Sequence, residues 1–194
     1  MSAPTILAMS ASERKNSLNK KLLALAIEAA EKAGAKVTRM DLRALELPIY
    51  DGDVEETKGL PAGAIKLKEA FADHQGLLIA TPEYNGSIPP LLKNAIDWAS
   101  RPAADKRLNG LEPLRDKVCA LMAASPGRLG GMRCLNMLNQ GLSGIGVLVV
   151  PGFFSLSFAD KAFDDNGRFV DDKQHAALEK FVTRLITMTR KLNA

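Results

Sequence analysis

The sequence lacks several features that would mark a specialised class of protein. Its 194 residues include only two cysteines, Cys119 and Cys134. They do not form a CxxC pair, so neither a disulfide framework nor a zinc site is indicated. No apolar run approaches the roughly 20 residues that span a bilayer, and no basic segment followed by a long apolar one suggests a signal peptide. We therefore expect a cytoplasmic protein with no membrane partner.

Blocks of like charge are also missing, although the formal net charge is +4. Basic arms that bind nucleic acid contain such blocks, so we expect no nucleic-acid partner. This mild excess of positive charge is only weak evidence for the binding of an anionic dinucleotide. The two histidines, His74 and His175, have no catalytic partner pattern around them. The sequence predicts no catalytic side chain and no metal site.

Short apolar runs alternate with helical patterns along the whole chain. Strands are predicted at 5–9, 36–42, 76–81, 117–124 and 146–150. Helices are predicted at 17–32, 61–73, 90–99, 130–141 and 171–192. Apolar strands separated by helices are typical of a parallel sheet covered on both faces. The pattern predicts one domain over 1–194, a doubly wound α/β fold with a five-stranded parallel sheet of order 2-1-3-4-5.

In such a sheet the ligand crevice lies beyond the carboxyl ends of the strands where the order reverses. The loop after the first strand, 10–19, leads into a helix N-terminus, which favours phosphate. Ser12, Ser17 and Asn19 add polar groups, and Arg14 adds a guanidinium fork. The alternative is an ordinary helix cap by Asn16 or Ser17. The loop has neither GxxxxGK[ST] nor GxGxxG, so a monophosphate is favoured.

Two further loops point toward the same crevice. The loop 81–90 after the third strand contains two prolines and a glycine, and is expected to be rigid. Its backbone can meet the polar edge of a flat heterocycle, and Tyr84 can cover a ring. The loop 125–131 has three glycines that permit close backbone approach. Each could instead be a plain strand-to-helix turn.

Several of these residues resemble the NAD(P)H-dependent FMN reductase family, flavodoxin-like proteins that include quinone, chromate and azo-dye reductases. The most specific stretch is Thr81-Pro82-Glu83-Tyr84-Asn85-Gly86-Ser87 with the following Leu92-Lys93-Asn94-Ala95-Ile96-Asp97-Trp98. The first loop matches a Gly-Ser-x-Arg and Ser-x-Asn pattern, except that Ala11 replaces the glycine. The resemblance covers nearly the whole chain.

The resemblance implies FMN as the cofactor and NADPH or NADH as co-substrate. The phosphate would be held by Ser12, Arg14, Ser17 and Asn19. The isoalloxazine ring would be lined, mainly through backbone groups, by Pro82, Glu83, Tyr84 and Asn85. Its other side would be closed by Ser125, Gly127 and Gly130. Members commonly form homodimers or homotetramers, which makes Trp98 and Arg101 candidate contact residues; core packing is the alternative for Trp98.

The function expected from this resemblance is hydride transfer from NAD(P)H to bound FMN and on to a quinone, azo compound, metal oxyanion or similar small acceptor, in a ping-pong cycle. The flavin carries the chemistry and the protein orients it. One alternative is a reductase that supplies free reduced FMN to a partner enzyme. Another is a flavodoxin-type electron carrier, although such carriers are usually acidic.

Overall fold

The computed structural model describes residues 2–194 and contains one parallel sheet. The strands are β1 (Thr5–Ser10), β2 (Lys36–Asp41), β3 (Gly76–Ala80), β4 (Val118–Ala124), β5 (Leu148–Val149) and β6 (Phe154–Leu156). The strand order is β2-β1-β3-β4-β5, with β6 also paired to β4, and all these pairings are parallel. The predicted fold class and strand order are confirmed.

The edge beyond β4 differs from the sequence-based prediction, which has one strand over 146–150. There, β5 pairs with Val118 and Cys119, and β6 pairs with the last three residues of β4. Pro151 has no N–H to continue the ladder, and Gly152 turns the chain with φ 80°. Two short strands therefore share one sheet position, and β6 was missed.

The described part of the chain contains six α-helices. They are α1 (Leu18–Lys32), α2 (Gly52–Lys58), α3 (Ala62–Asp73), α4 (Pro90–Ala99), α5 (Met132–Gly144) and α6 (Asp172–Leu192). The short helix α2, which has no buried residue, is not among the helices predicted from the sequence. Its first turn is capped by the Asp51 carboxylate, which accepts from the N–H groups of Asp53 and Val54, and a seven-residue helix leaves little periodicity to detect.

The apolar core has one cluster on each face of the sheet. Ile6 and Ala8 of β1 face α1 and α6, whereas Leu7 and Met9 face α3, α4 and α5. Every residue of β3 and β4 is buried, which explains their unbroken apolar runs. Strand β2 lies at the edge of the sheet, as the predicted strand order requires, and only Val37 and Met40 in it are partly buried. Over residues 2–194, we find no helix that is both long and apolar enough to cross a membrane.

Candidate functional site

A cleft of about 160 Å³ opens at the carboxyl ends of β1, β3 and β4. It is lined by Ser12, Arg14, Ser17, Leu18, Asn19, Pro82, Glu83, Tyr84, Ala124, Ser125 and Pro126. All four residues predicted in the first loop line it. Of the other predicted residues, Asn85, Gly127 and Gly130 do not. The three loops named from the sequence thus converge on one crevice, as the strand order requires.

The first loop ends in the N-cap of α1, which is Ser17 rather than Asn16. Its hydroxyl oxygen accepts from the N–H groups of Asn19 at 3.1 Å and Lys20 at 3.4 Å. Capping and ligand binding are compatible, because the hydroxyl hydrogen of Ser17 is still available to donate. The helix behind it has 15 residues, so its N-terminus carries the partial positive charge that favours an anion.

The same loop presents donors that no protein group satisfies. Ser12 is only 4% exposed, lines the cleft, and its hydroxyl makes no hydrogen bond to any residue in 2–194. Within that range the N–H groups of Glu13, Arg14, Lys15 and Asn16 also donate to no backbone or side-chain acceptor, and Arg14 forms no ion pair. Residues 13–16 are exposed, so these donors are open to solvent and to a ligand. A cluster of free donors at a helix N-terminus fits a ligand rich in anionic oxygens, such as a phosphate monoester.

Asn19 makes a contact that the sequence did not predict. Its side-chain N–H donates to the Ala124 carbonyl at 2.9 Å, and its side-chain oxygen accepts from the Ala124 N–H at 2.8 Å. The residue is 2% exposed. These contacts make it a bridge between the start of α1 and the end of β4. Asn19 also lines the cleft, and its expected role as a phosphate ligand stays a prediction.

The loop after β3 forms a tight hairpin-like turn. Tyr84 and Ser87 exchange two backbone hydrogen bonds of 3.1 and 2.9 Å, and Asn85 and Gly86 both have positive φ, 51° and 77°. This is the type I′ geometry that Asn-Gly pairs favour. The N–H groups of Glu83 and Asn85 have no backbone acceptor within the described chain. They are free to donate to the polar edge of a heterocycle, and Tyr84 is 41% exposed beside them.

The Glu83 carboxylate turns away from this turn and toward α5. It accepts from the Nε and a terminal nitrogen of Arg133, and from the backbone N–H of Cys134 at 3.1 Å. Burial raises the pKa of Glu83, but the bonds from Arg133 and Cys134 outweigh it, so the pKa lies below its ordinary value. The carboxylate is therefore ionised at neutral pH and is held as a structural acceptor. Arg133 lies 50 residues away in sequence, and no local pattern pointed to it.

Two glycines of the loop after β4, Gly127 and Gly130, make contacts within the protein, and their expected role at the cofactor stays a prediction. A Cβ on Gly130 would lie 2.4 Å from the Ser155 hydroxyl and 2.9 Å from the Leu156 carbonyl carbon. Gly130 is thus packed against β6 and the residues after it. The Ser125 hydroxyl accepts from the Gly127 N–H at 3.2 Å. Gly127 shapes the loop behind Ser125, which does line the cleft.

Outside the cleft, the remaining candidate residues have structural environments. Trp98 is completely buried and its indole N–H donates to the Pro48 carbonyl at 2.8 Å, which agrees with core packing. Burial raises the pKa of the Cys134 thiol to about 11, and it raises that of Cys119 further. Neither thiol is a nucleophile at neutral pH. Residues 2–194 contain no group of three or more His, Cys, Asp or Glu side chains able to hold a metal ion.

A second groove, of about 310 Å³, adjoins the cleft at Ser17 and runs along the outer side of α1. Its cationic residues are Lys15, Lys20, Lys21 and Arg168, and its one anionic residue is Glu28, which pairs with Arg168. Within the described chain, none of the three lysines has an anionic partner. The groove therefore carries positive charge next to the predicted phosphate site.

Comparison with known proteins agrees with the predicted family and fold. Residues 4–161 match the family model for NADPH-dependent FMN reductases. An NAD(P)H-dependent FMN reductase of Pseudomonas aeruginosa is 35% identical over 96% of each chain. A quinone reductase of Escherichia coli is 37% identical over 65% of this chain and 64% of its own length.

Among solved structures, the flavoenzyme NAD(P)H:(acceptor) oxidoreductase FerB of Paracoccus denitrificans is 30% identical. It superposes with a TM-score of 0.81 and covers 97% of this chain and 98% of its own. An azoreductase, AzrA, with a TM-score of 0.62 and 19% identity, shares the fold.

The chain belongs to the NADPH-dependent FMN reductase family. It is an oxidoreductase of the FMN reductase and quinone reductase type, and the expected flavin and nicotinamide cofactors are those of this family. The family recognised from the loop residues is thereby confirmed.

Proposed function

We propose that the chain binds FMN in the cleft and reduces a quinone or a similar small acceptor at the expense of NAD(P)H. The observation that carries the proposal is the set of unsatisfied donors around Ser12 and Arg14 at the start of α1. These donors face the cleft at the N-terminus of a helix, where a phosphate would offer them several acceptors.

In this proposal, each loop has its own part of the cofactor to bind. The Ser12 hydroxyl, the N–H groups of 13–16 and the Arg14 guanidinium donate to the phosphate. The backbone N–H groups of Glu83 and Asn85 donate to the polar edge of the ring, and Tyr84 lies at its rim. Ser125 and its neighbours close the other side. Bound FMN would supply two-electron chemistry, taking a hydride from the nicotinamide and giving reducing equivalents to the acceptor.

The open cleft favours a cycle in which NAD(P)H and the electron acceptor occupy the same site one after the other. Nothing in the described chain forms a separate nicotinamide-binding fold, so the two substrates would have to stack on the same exposed ring face in turn. Initial rates at several fixed acceptor concentrations should therefore give parallel double-reciprocal lines. The names of the quinone reductase relatives support a quinone as acceptor.

The test of the proposal is a fluorescence titration of the apoprotein with FMN. Replacing Arg14 with Ala should weaken binding by about 1–3 kcal/mol, since a charge-assisted hydrogen bond is lost. Arg115→Ala is the matched control, because Arg115 is exposed and its one ion pair within residues 2–194 is with Glu112. Wild-type protein that takes up no FMN, or that oxidises neither NADPH nor NADH in the presence of FMN and a quinone, would overturn the function.

Dialysis of the FMN-loaded protein decides how the cofactor is used. Yellow colour that survives dialysis supports a reductase with resident FMN. Colour that is lost while FMN-dependent NAD(P)H oxidation continues supports the alternative of a supplier of free reduced FMN.

We also propose NADPH as the preferred donor. The groove cations Lys15, Lys20 and Lys21 lie beside the cleft and are unpaired within residues 2–194, so they can meet the additional 2′-phosphate of NADPH. Joint replacement of Lys20 and Lys21 by Ala should lower kcat/KM for NADPH by about tenfold and change that for NADH much less. Equal losses for both nucleotides would contradict this preference.

A homodimer or homotetramer is proposed as the functional form. Ile49 is 88% exposed although its neighbours are fixed: the Pro48 carbonyl accepts from Asn94 and Trp98, and the Tyr50 N–H donates to Asn94. A rigidly held, exposed aliphatic side chain is suited to a subunit contact. Light scattering should give a mass at least twice 20.9 kDa, and Ile49→Asp should reduce it.

A further inference from the structure

Helix α5 begins at a residue that is unable to cap it. The N-cap is Gly131, which has φ 87° and no side chain. A Cβ at this position would lie 2.5 Å from the Cβ of Ala123, so no Ser, Thr, Asp or Asn can stand there without displacing β4. The Met132 N–H donates to the Leu129 carbonyl at 2.9 Å, whereas the N–H groups of Arg133 and Cys134 need an acceptor from elsewhere in the chain.

Glu83 supplies that acceptor from the loop after β3. One carboxylate oxygen accepts from the Cys134 N–H in the first turn of α5, and the other accepts two bonds from the Arg133 guanidinium. The Glu83 side chain is 8% exposed, whereas that of Arg133 is 62% exposed. A negative charge at a helix N-terminus is favourable, and the arginine fork fixes the orientation of the carboxylate.

These contacts join the loop after β3 to the start of α5. The N–H groups proposed to meet the ring belong to Glu83 itself and to Asn85, two residues further on. The Arg133 guanidinium also lies beside the turn, since a Cβ on Gly86 would be 3.6 Å from it. The direction of those N–H groups is therefore set by a side chain that does not line the cleft.

We propose that Arg133 is a positioning residue for FMN, which acts through Glu83 by clamping the 82–87 turn onto the N-terminus of α5. The inference rests on the proposed function, because it assigns those N–H groups to the flavin ring. It does not require Arg133 to touch the cofactor or either substrate.

A double-mutant cycle tests this route. Arg133→Ala should weaken FMN binding about tenfold, as expected for the loss of a charge-assisted hydrogen bond. Glu83→Gln, which keeps an oxygen for the Cys134 N–H but loses the charge, should have a similar effect. The cycle is closed with Glu83→Ala. Adding Arg133→Ala to this variant should weaken FMN binding little further, because the carboxylate through which Arg133 acts is already absent.

Hydrogen–deuterium exchange on the apoprotein gives a readout that needs no cofactor. Peptides covering 82–90 should exchange faster in Arg133→Ala and Glu83→Gln than in wild type. Arg107→Ala is the matched control, since it removes an exposed ion pair with Asp73 at 2.5 Å and should leave both the exchange and the FMN affinity unchanged.

The possible outcomes distinguish failure of the positioning role of Arg133 from failure of the proposed function. Two results overturn the positioning role when the wild-type protein binds FMN. In the first, the Arg133→Ala variant binds FMN as tightly as wild type. In the second, adding Arg133→Ala to Glu83→Ala weakens FMN binding further. If wild type fails to bind FMN, the proposed function is overturned, while faster exchange of 82–90 in the variants would still establish the clamp.

Discussion

Asn19 and Ala124 exchange two hydrogen bonds across the carboxyl edge of the sheet, at 2.9 and 2.8 Å. The amide side chain pairs with the last residue of β4 as another strand would. The first turn of α1 is thereby attached to the point where the loop 125–131 begins. Together with the Glu83 contacts to α5, this pair connects all three loops of the cleft through buried side chains.

Replacing Asn19 with Leu should therefore damage both stability and the site. The buried N–H and carbonyl of Ala124 would each lose their partner, at about 1–3 kcal/mol per group. We expect a loss of about 2–4 kcal/mol in the free energy of unfolding, measured by urea denaturation. Asn19→Asp keeps the acceptor but turns an anionic oxygen toward the Ala124 carbonyl, so it should also destabilise. Wild-type stability in both variants would refute the bridge.

The fold was predictable because its signals are local. Near-continuous apolar runs marked β1, β3 and β4, and the predicted strand order placed β2 at an edge, as observed. The strand order followed from the alternation of strands and helices. The strand β6 was missed because three residues after a Pro-Gly break carry too little pattern.

The site was predictable as a set of loops, but not in its internal connections. Ser12, Arg14 and Tyr84 were named from loop chemistry and family pattern, and the structure gathers them in one cleft. The pairings of Asn19 with Ala124 and of Glu83 with Arg133 span 105 and 50 residues. Contacts between residues so far apart in sequence leave no local pattern, so these two pairings could not be predicted, whereas the assignment of Asn19 and Glu83 to the cofactor stays a prediction.

Gly131 offers a sharp test of the packing under α5. Gly131→Ala should destabilise the protein by more than about 1 kcal/mol, because φ 87° is unfavourable for alanine and its Cβ would meet Ala123 at 2.5 Å. Gly141→Ala lies in the same helix, where a Cβ would meet nothing within 4 Å, and should stabilise by about 0.5–1 kcal/mol. Thermal unfolding of the two variants should shift Tm in opposite directions, and shifts of the same sign would contradict the geometry.

Lys68 is completely buried in α3 and donates to three carbonyl groups. Its Nζ lies 2.5 Å from the Ala99 oxygen, 2.8 Å from that of Arg101 and 2.9 Å from that of Gly110. It thus attaches the end of α4 to the long connection that precedes β4. Lys68→Met should lower the free energy of unfolding by about 1–3 kcal/mol at neutral pH, since the three carbonyls lose their donor. Urea denaturation measures this, with the exposed Lys66→Met as control.

The same lysine should make stability depend on alkaline pH. Burial, with a smaller contribution from the nearby Arg101 charge, lowers the pKa of Lys68 from 10.5 to about 8, against the opposing effect of Glu55. Between these values, the unfolded chain binds more protons at Lys68 than the folded one, so this group raises the free energy of unfolding as pH increases. Below about pH 8 both states are protonated and the contribution is constant. The stability difference between wild type and Lys68→Met should therefore widen in favour of wild type from about pH 8 to about pH 10.5. A difference that stays flat over this interval would show that the folded lysine keeps its ordinary pKa.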